Sequence, residues 1–122
     1  MNVQKLAKLF AFVFVPVGIL GFVPGITSDG MLLGIFEVKT LHNIVHLATG
    51  LVAFWAASTA ANSRLFFKVL GLMYVLVTIL GFTLGRNILG LIMVNVADNL
   101  LHVAVTAVAL YAGFGDEGIE VS

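Results

Sequence analysis

All three histidines of this chain lie in two short blocks, LHNIVHL from Leu41 to Leu47 and ADNLLHV from Ala97 to Val103. In each block an asparagine precedes a histidine by three residues, Asn43 before His46 and Asn99 before His102. Four residues before that histidine stands a second titratable group, His42 in the first block and Asp98 in the second. Residues three and four apart share one face of a helix, so each block presents a polar face of three side chains. Several chemistries suit that set. Two imidazoles and a carboxylate, His46, His102 and Asp98 with His42 beside them, can hold a divalent transition metal such as zinc or iron, with Asn99 or Glu37 orienting the rings. His46 and His102 facing one another can ligate a haem. Histidine and aspartate also serve proton relays and quinone sites. The plainest use is a hydrogen-bonded fastening, in which Asn43 bonds His102 and Asn99 bonds His46; such bonds contribute roughly 0.6 to 2 kcal/mol each inside a membrane.

The elements that must position these residues are apolar. Of 122 residues, 61% are hydrophobic and 10% are charged, against the ~25% charged residues of an ordinary soluble domain. That leaves too little polar side chain to cover a water-facing surface and predicts an integral membrane protein in contact with the lipid bilayer. A formal net charge of zero argues against a nucleic-acid partner, and the lack of cysteine removes disulfides, thiolate metal sites and cysteine nucleophiles. Walker loops, dinucleotide fingerprints and nucleophile elbows are also missing, so an enzyme is not the expected reading.

Four apolar segments follow, at about Leu6 to Phe22, Leu41 to Ala60, Leu65 to Leu84 and Leu89 to Ala112. Each approaches the ~20 residues that a helix needs to cross the bilayer. Lys5 and Lys8 ahead of the first give it the look of a signal peptide, but no small-residue cleavage site follows. Pro16 should kink it. Lys5, Lys8, Arg64 and Lys68 fall on one side of a four-span arrangement and Lys39 and Arg86 on the other, which predicts cytoplasmic termini in a plasma membrane.

The chain also resembles itself. Gly18-Ile-Leu-Gly-Phe22 returns as Thr78-Ile-Leu-Gly-Phe82, about sixty residues on. GIFEVKTLHNIVHL from Gly34 returns as GLIMVNVADNLLHV from Gly90, with the spacing shorter by about four. Two hairpins of two spans each would share one orientation and be related by an axis along the membrane normal. The expected architecture is an all-α, four-helix transmembrane bundle in a single domain, with halves at about 6–60 and 65–114 and an acidic tail over 115–122. That symmetry brings His42, Asn43, His46, Asp98, Asn99 and His102 together near the starts of the second and fourth helices. His42 and Asp98 then sit where they can pair. Thr40 and Asn95 are the expected N-caps of those helices, and Asp98 in a first turn suits the helix dipole. Glu37 and Arg86 in the outer connections could pair above the site. Glycines, alanines and threonines along all four segments suit close helix packing. Trp55 and Tyr74 are expected at the lipid interface or against neighbouring helices, and Tyr111 as the aromatic anchor at the end of the fourth helix.

Gly18-Ile-Leu-Gly-Phe-Val-Pro-Gly25, the run from Gly34 to Leu47, Asp98-Asn-Leu-Leu-His102 and Tyr111-Ala-Gly-Phe114 resemble a family of small four-span bacterial membrane proteins, catalogued as domain of unknown function 4383. The resemblance runs from the first helix to Phe114 and is most specific at the first Asn-x-x-His-Leu block. It implies a four-helix inner-membrane protein and carries no activity with it. The expected role is a structural or accessory subunit, as a homo-oligomer or within a larger membrane complex. A metal- or cofactor-binding protein and a quinone- or haem-linked oxidoreductase subunit are the alternatives.

Overall fold

The computed structural model describes residues 2–29, 31–84, 87–88 and 92–115. The tail from Asp116 onward and Arg86 lie outside them, as does the side chain of Glu37, so the expected Glu37–Arg86 pair falls outside the described residues. The fold is all-α. Its helices are α1 (Val3–Leu20), α2 (Thr40–Ala56), α3 (Ala60–Leu84) and α4 (Val96–Phe114). α1, α3 and α4 are long and apolar enough to cross a membrane. α2, at 17 residues, rises about 25 Å.

Burial along α1 follows one stripe, Val3, Leu6, Ala7, Phe10, Ala11, Phe14 and Gly18; steps of three and four are what an α-helix needs to bury one face. Asn2 starts the helix by accepting the backbone N–H of Gln4 at 2.8 Å, and the helix runs on through Pro16. α3 starts at Ala60, ahead of its apolar run. Thr59 Oγ1 accepts the Asn62 N–H at 3.0 Å, and Ser63 Oγ donates to Ala56 O at 2.9 Å, so the polar turn Asn62-Ser63-Arg64 is already helical. α4 starts later than hydropathy suggests, because Ile92–Met93, apolar in composition, is a strand.

That strand belongs to the connections, where the sequence predicts only loops. Between α1 and α2, β1 (Thr27–Ser28), β2 (Met31–Leu32) and β3 (Phe36–Glu37) form an antiparallel ladder in the order β1-β2-β3. Between α3 and α4, β4 (Asn87–Ile88) pairs with β5 (Ile92–Met93). The registers match: Met31 faces Glu37 and Leu32 faces Phe36, as Asn87 faces Met93 and Ile88 faces Ile92. β1 has no counterpart among the described residues of the second connection.

α1 packs chiefly along α2, and α3 along α4; the two pairs meet more sparingly, mainly through α3. The core has two layers. Toward the ends where α1 and α3 begin it is apolar, with the Phe10 ring set edge-on to Phe67 at 5.0 Å between centroids. Toward the ends where α2 and α4 begin it is polar, with His42, Asn43, His46, Asp98, Asn99 and His102 all buried. Outside, the large apolar residues are bare: Phe12, Phe54, Trp55, Leu72, Leu76 and Phe82 are each more than half exposed. Polar inside and apolar outside is the reverse of a water-soluble domain and fits a surrounding of lipid. Tyr111, half exposed near the end of α4, suits an interface anchor, whereas Tyr74 is buried.

Candidate functional site

The polar layer is held by backbone geometry at the start of α2 and α4. At α4 the expected cap is present in full. Asn95 Oδ1 accepts the Asp98 N–H at 2.9 Å, and the Asp98 carboxylate accepts the Asn95 N–H at 3.0 Å. This reciprocal pair satisfies two otherwise orphaned donors and orients the Asp98 carboxylate toward its own helix terminus. At α2 the expectation fails. Lys39 is the N-cap, its side chain makes no cap hydrogen bond, and Thr40 is already the first helical residue. Thr40 sits one position too late for its hydroxyl to reach back to the free N–H groups.

The asparagines correct a second expectation. Asn43 Nδ2 donates to Gly21 O at 2.9 Å, and Asn99 Nδ2 donates to Gly81 O at 3.3 Å. Neither bonds a histidine. Each ties its own helix to the C-terminal end of the preceding one, α2 to α1 and α4 to α3. A Cβ on Gly21 or Gly81 would meet the Asn43 or Asn99 amide respectively, so a larger residue at either seat must displace that side chain. Gly21 is the C-cap of α1, where the carbonyl has no intrahelical partner, which is why an amide N–H is useful there.

The histidines, by contrast, meet across the two helix pairs. The His42 ring lies 4.3 Å from His46 and 5.9 Å from His102, centroid to centroid. Phe14 meets His46 edge-on at 5.6 Å, and Tyr74 meets His102 edge-on at 5.4 Å. The structure joins the three histidines through ring packing, where Asn–His hydrogen bonds were expected, and buries Asn43, Asp98 and Asn99 in the first turns of the same two helices. Nδ1 of His46 and of His102 is buried without a hydrogen-bond partner, as are Oδ1 of Asn43 and Asn99. Among the described residues, no group of three or more His, Cys, Asp or Glu side chains is placed to hold a metal ion.

Sequence reading missed a second set of contacts at the opposite end. Gln4 Nε2 donates to Ala57 O at 3.2 Å, next to the last turn of α2. Arg64 Nη2 donates to Gly113 O at 3.3 Å and also to Gly115 O, closing the end of α4. Gln4 and Arg64 stand in the same register as Gly21 and Gly81, so the spacing of the repeat contained the signal, but Gln and Arg do not look alike. Asn95 adds one bond between the pairs, donating through Nδ2 to Ile35 O in the first connection at 2.8 Å.

A family model described as Domain of unknown function (DUF4383) matches residues 4–115. No curated protein and no solved structure matches the chain.

Proposed function

This chain belongs to the DUF4383 family, and from that premise we propose that it is a small four-span inner-membrane protein without catalysis of its own. It serves as a structural or accessory subunit, as a homo-oligomer or inside a larger membrane complex. In this reading the single domain is a duplicated helical hairpin. Two parallel repeats form a four-helix bundle, and both termini are cytoplasmic.

One observation carries the reading: every polar residue singled out from the two blocks is buried, while many large apolar residues, Phe12, Phe54, Trp55 and Leu72 among them, face outward. Polar groups at membrane depth turn inward because lipid offers them no hydrogen bonds. α2 counts as the fourth span because it packs along α1 and buries His42, Asn43 and His46 against neighbours. Duplication is supported by contacts that recur at matching positions: Asn43 on Gly21 and Asn99 on Gly81, Phe14 on His46 and Tyr74 on His102. The cluster acts as a fastening on two scales. Its asparagines hold each hairpin closed, and its rings join one hairpin to the other.

The cysteine-free sequence makes the topology directly testable. Asp29→Cys lies between α1 and α2, and Ser58→Cys between α2 and α3. With a membrane-impermeant maleimide on intact cells, Asp29→Cys should label and Ser58→Cys should label only after lysis. Labelling of both from outside would remove α2 as a span and overturn the four-span reading. The fastening role is read separately, as a lower melting temperature of Asn43→Leu in detergent; an unchanged melt sinks it.

A further inference from the structure

Two clefts open on the lipid-facing surface, one between α1 and α4 and one between α2 and α3. His46 and His102 help to line the first, but the surface it exposes is almost all apolar, and Nδ1 of both rings is buried without a hydrogen-bond partner. Oδ1 of Asn43 and of Asn99 is buried in the same state. Four such atoms are costly, and lipid offers them no hydrogen bonds. Water can pair them from the end of the bundle where α2 and α4 begin, since the flanks face hydrocarbon.

The first connection closes that end. Its buried side chains include Leu32 on β2, 5% exposed, and Val38 just after β3, 2% exposed. β3 packs against α4, which belongs to the other helix pair. Asn95 fastens it there, since its Nδ2 donates to Ile35 O at 2.8 Å. Beside Asn95 lies Val94, also buried. It walls the seat of Asn99: a Cβ on Gly81 would meet both Asn99 Oδ1 and, at 3.6 Å, Val94 Cγ2. The closure is slight. β1, β2 and β3 have two residues each, and short strands with few hydrogen bonds are among the first parts of a fold to open. The helices pack chiefly as α1 on α2 and α3 on α4, so they need not part when the ladder lifts.

We infer that the β1-β2-β3 ladder is a lid over the histidine layer, latched by the Asn95–Ile35 hydrogen bond, and that it lifts to admit water while the helices stay packed. Closed, it leaves four polar atoms unpaired. Open, it lets water pair them and gives up the burial of Leu32 and Val38 together with the latch. The two states are thus balanced by opposing costs, and the imidazoles become reachable by small solutes from the aqueous end. The inference rests on the reading of the polar layer as a fastening and adds a gate to it. The two fail separately: an unchanged Asn43→Leu melt sinks the fastening, and unchanged histidine reactivity sinks the lid.

The test uses the full chain, without a His-tag, in mild detergent. All three histidines of the sequence lie in the layer, so their carbethoxylation by diethyl pyrocarbonate, followed residue by residue in a mass spectrometer, reports on that layer alone. Wild-type histidines should react far more slowly than free imidazole. Asn95→Ser keeps a capping oxygen and removes the amide that holds Ile35 O; Val38→Ala thins the lid. Each should speed the reaction roughly tenfold, the size expected of one lost hydrogen bond or buried contact. Gln4→Met, which breaks a bond at the opposite end, and Ala104→Phe, which fills the α1–α4 cleft, should leave the rate unchanged. Wild-type histidines as reactive as free imidazole, or unchanged rates in both lid variants, would overturn the lid. So would equal acceleration in Gln4→Met, which traces access to parting helices, or slowing in Ala104→Phe, which traces it to the cleft. Val38→Ala keeps the test decisive if Asn95→Ser does not fold.

Discussion

The two helix pairs use the same contacts and complete them to different degrees. In both, an asparagine near the start of the second helix bonds the end of the first, through Gly21 in one pair and Gly81 in the other. In both, a residue near the start of the first helix bonds the end of the second. Gln4 does this with one amide bond and Arg64 with two guanidinium bonds. The α3–α4 pair has a closed capping box at Asn95 and Asp98, where the α1–α2 pair has Lys39 and no side-chain cap. It also has a threonine pair, Thr78 and Thr106, with hydroxyls 3.2 Å apart. The other pair has Gly18 and Gly50 at those positions, and a Cβ on Gly18 would lie 2.8 Å from Leu47 N. At this position one pair relies on close backbone approach and the other on a side-chain hydrogen bond. The lesson is that a contact can survive while the chemistry supporting it changes, provided the space between the helices changes with it.

Substitutions can break that comparison, and the largest effect is expected at the shared seats. Gly21→Val and Gly81→Val should each destabilise by about 1–3 kcal/mol, the usual cost of overpacking, and should also displace the asparagine opposite. Unfolding in detergent measures both; a neutral Gly81→Val would show that the second seat can yield. Next come the asparagines. Asn43→Ala should cost roughly 1–2 kcal/mol and Asn99→Ala less, since their bonds measure 2.9 and 3.3 Å. The reverse order would mean that bond length is a poor guide at this site.

The caps are expected to differ more between the pairs than within them. Asn95→Ala should lose about 1 kcal/mol and Thr40→Ala should stay within about 0.5 kcal/mol. Lys39→Asn should raise stability by a few tenths to about 1 kcal/mol, by installing an acceptor where none exists. A thermal melt in which Thr40→Ala is the costlier change would restore the cap expected from sequence. The smallest effect belongs to Tyr74→Phe. It converts the Tyr74–His102 contact into a copy of Phe14–His46 and should move stability by no more than about 0.5 kcal/mol. A larger loss would mean that the hydroxyl carries an interaction which the matching pair lacks.

How much of this was legible beforehand follows from what each feature depends on. The helices were legible because hydropathy and a step of three or four residues are local properties. Their boundaries were less so. The turn Asn62-Ser63-Arg64 is polar yet helical, and Ile92–Met93 is apolar yet extended. That the Asn-x-x-His residues would share a buried face was legible from the two blocks, since helical spacing alone puts them on one side of each helix. Their partners were not. Asn43 was expected on His102 because both are polar and symmetry brings them near, but it bonds Gly21 O. A backbone carbonyl has no letter in the sequence, so its pull on a side chain cannot be read there. Gln4 and Arg64 were missed for the same reason.

The amino-acid order by itself thus determined a membrane-embedded chain, its helical segments, the internal likeness of its two parts and the six residues of the polar layer. All of these depend on composition and short-range periodicity. Tertiary structure alone decided that the asparagines act within a helix pair and the histidine rings between pairs. It also decided which cleft the two imidazoles line. Those outcomes rest on where helix ends, backbone carbonyls and ring faces come to lie after packing. Two halves with nearly the same sequence pattern could therefore leave a cleft between α1 and α4 lined in part by His46 and His102, and one between α2 and α3 lined by no histidine.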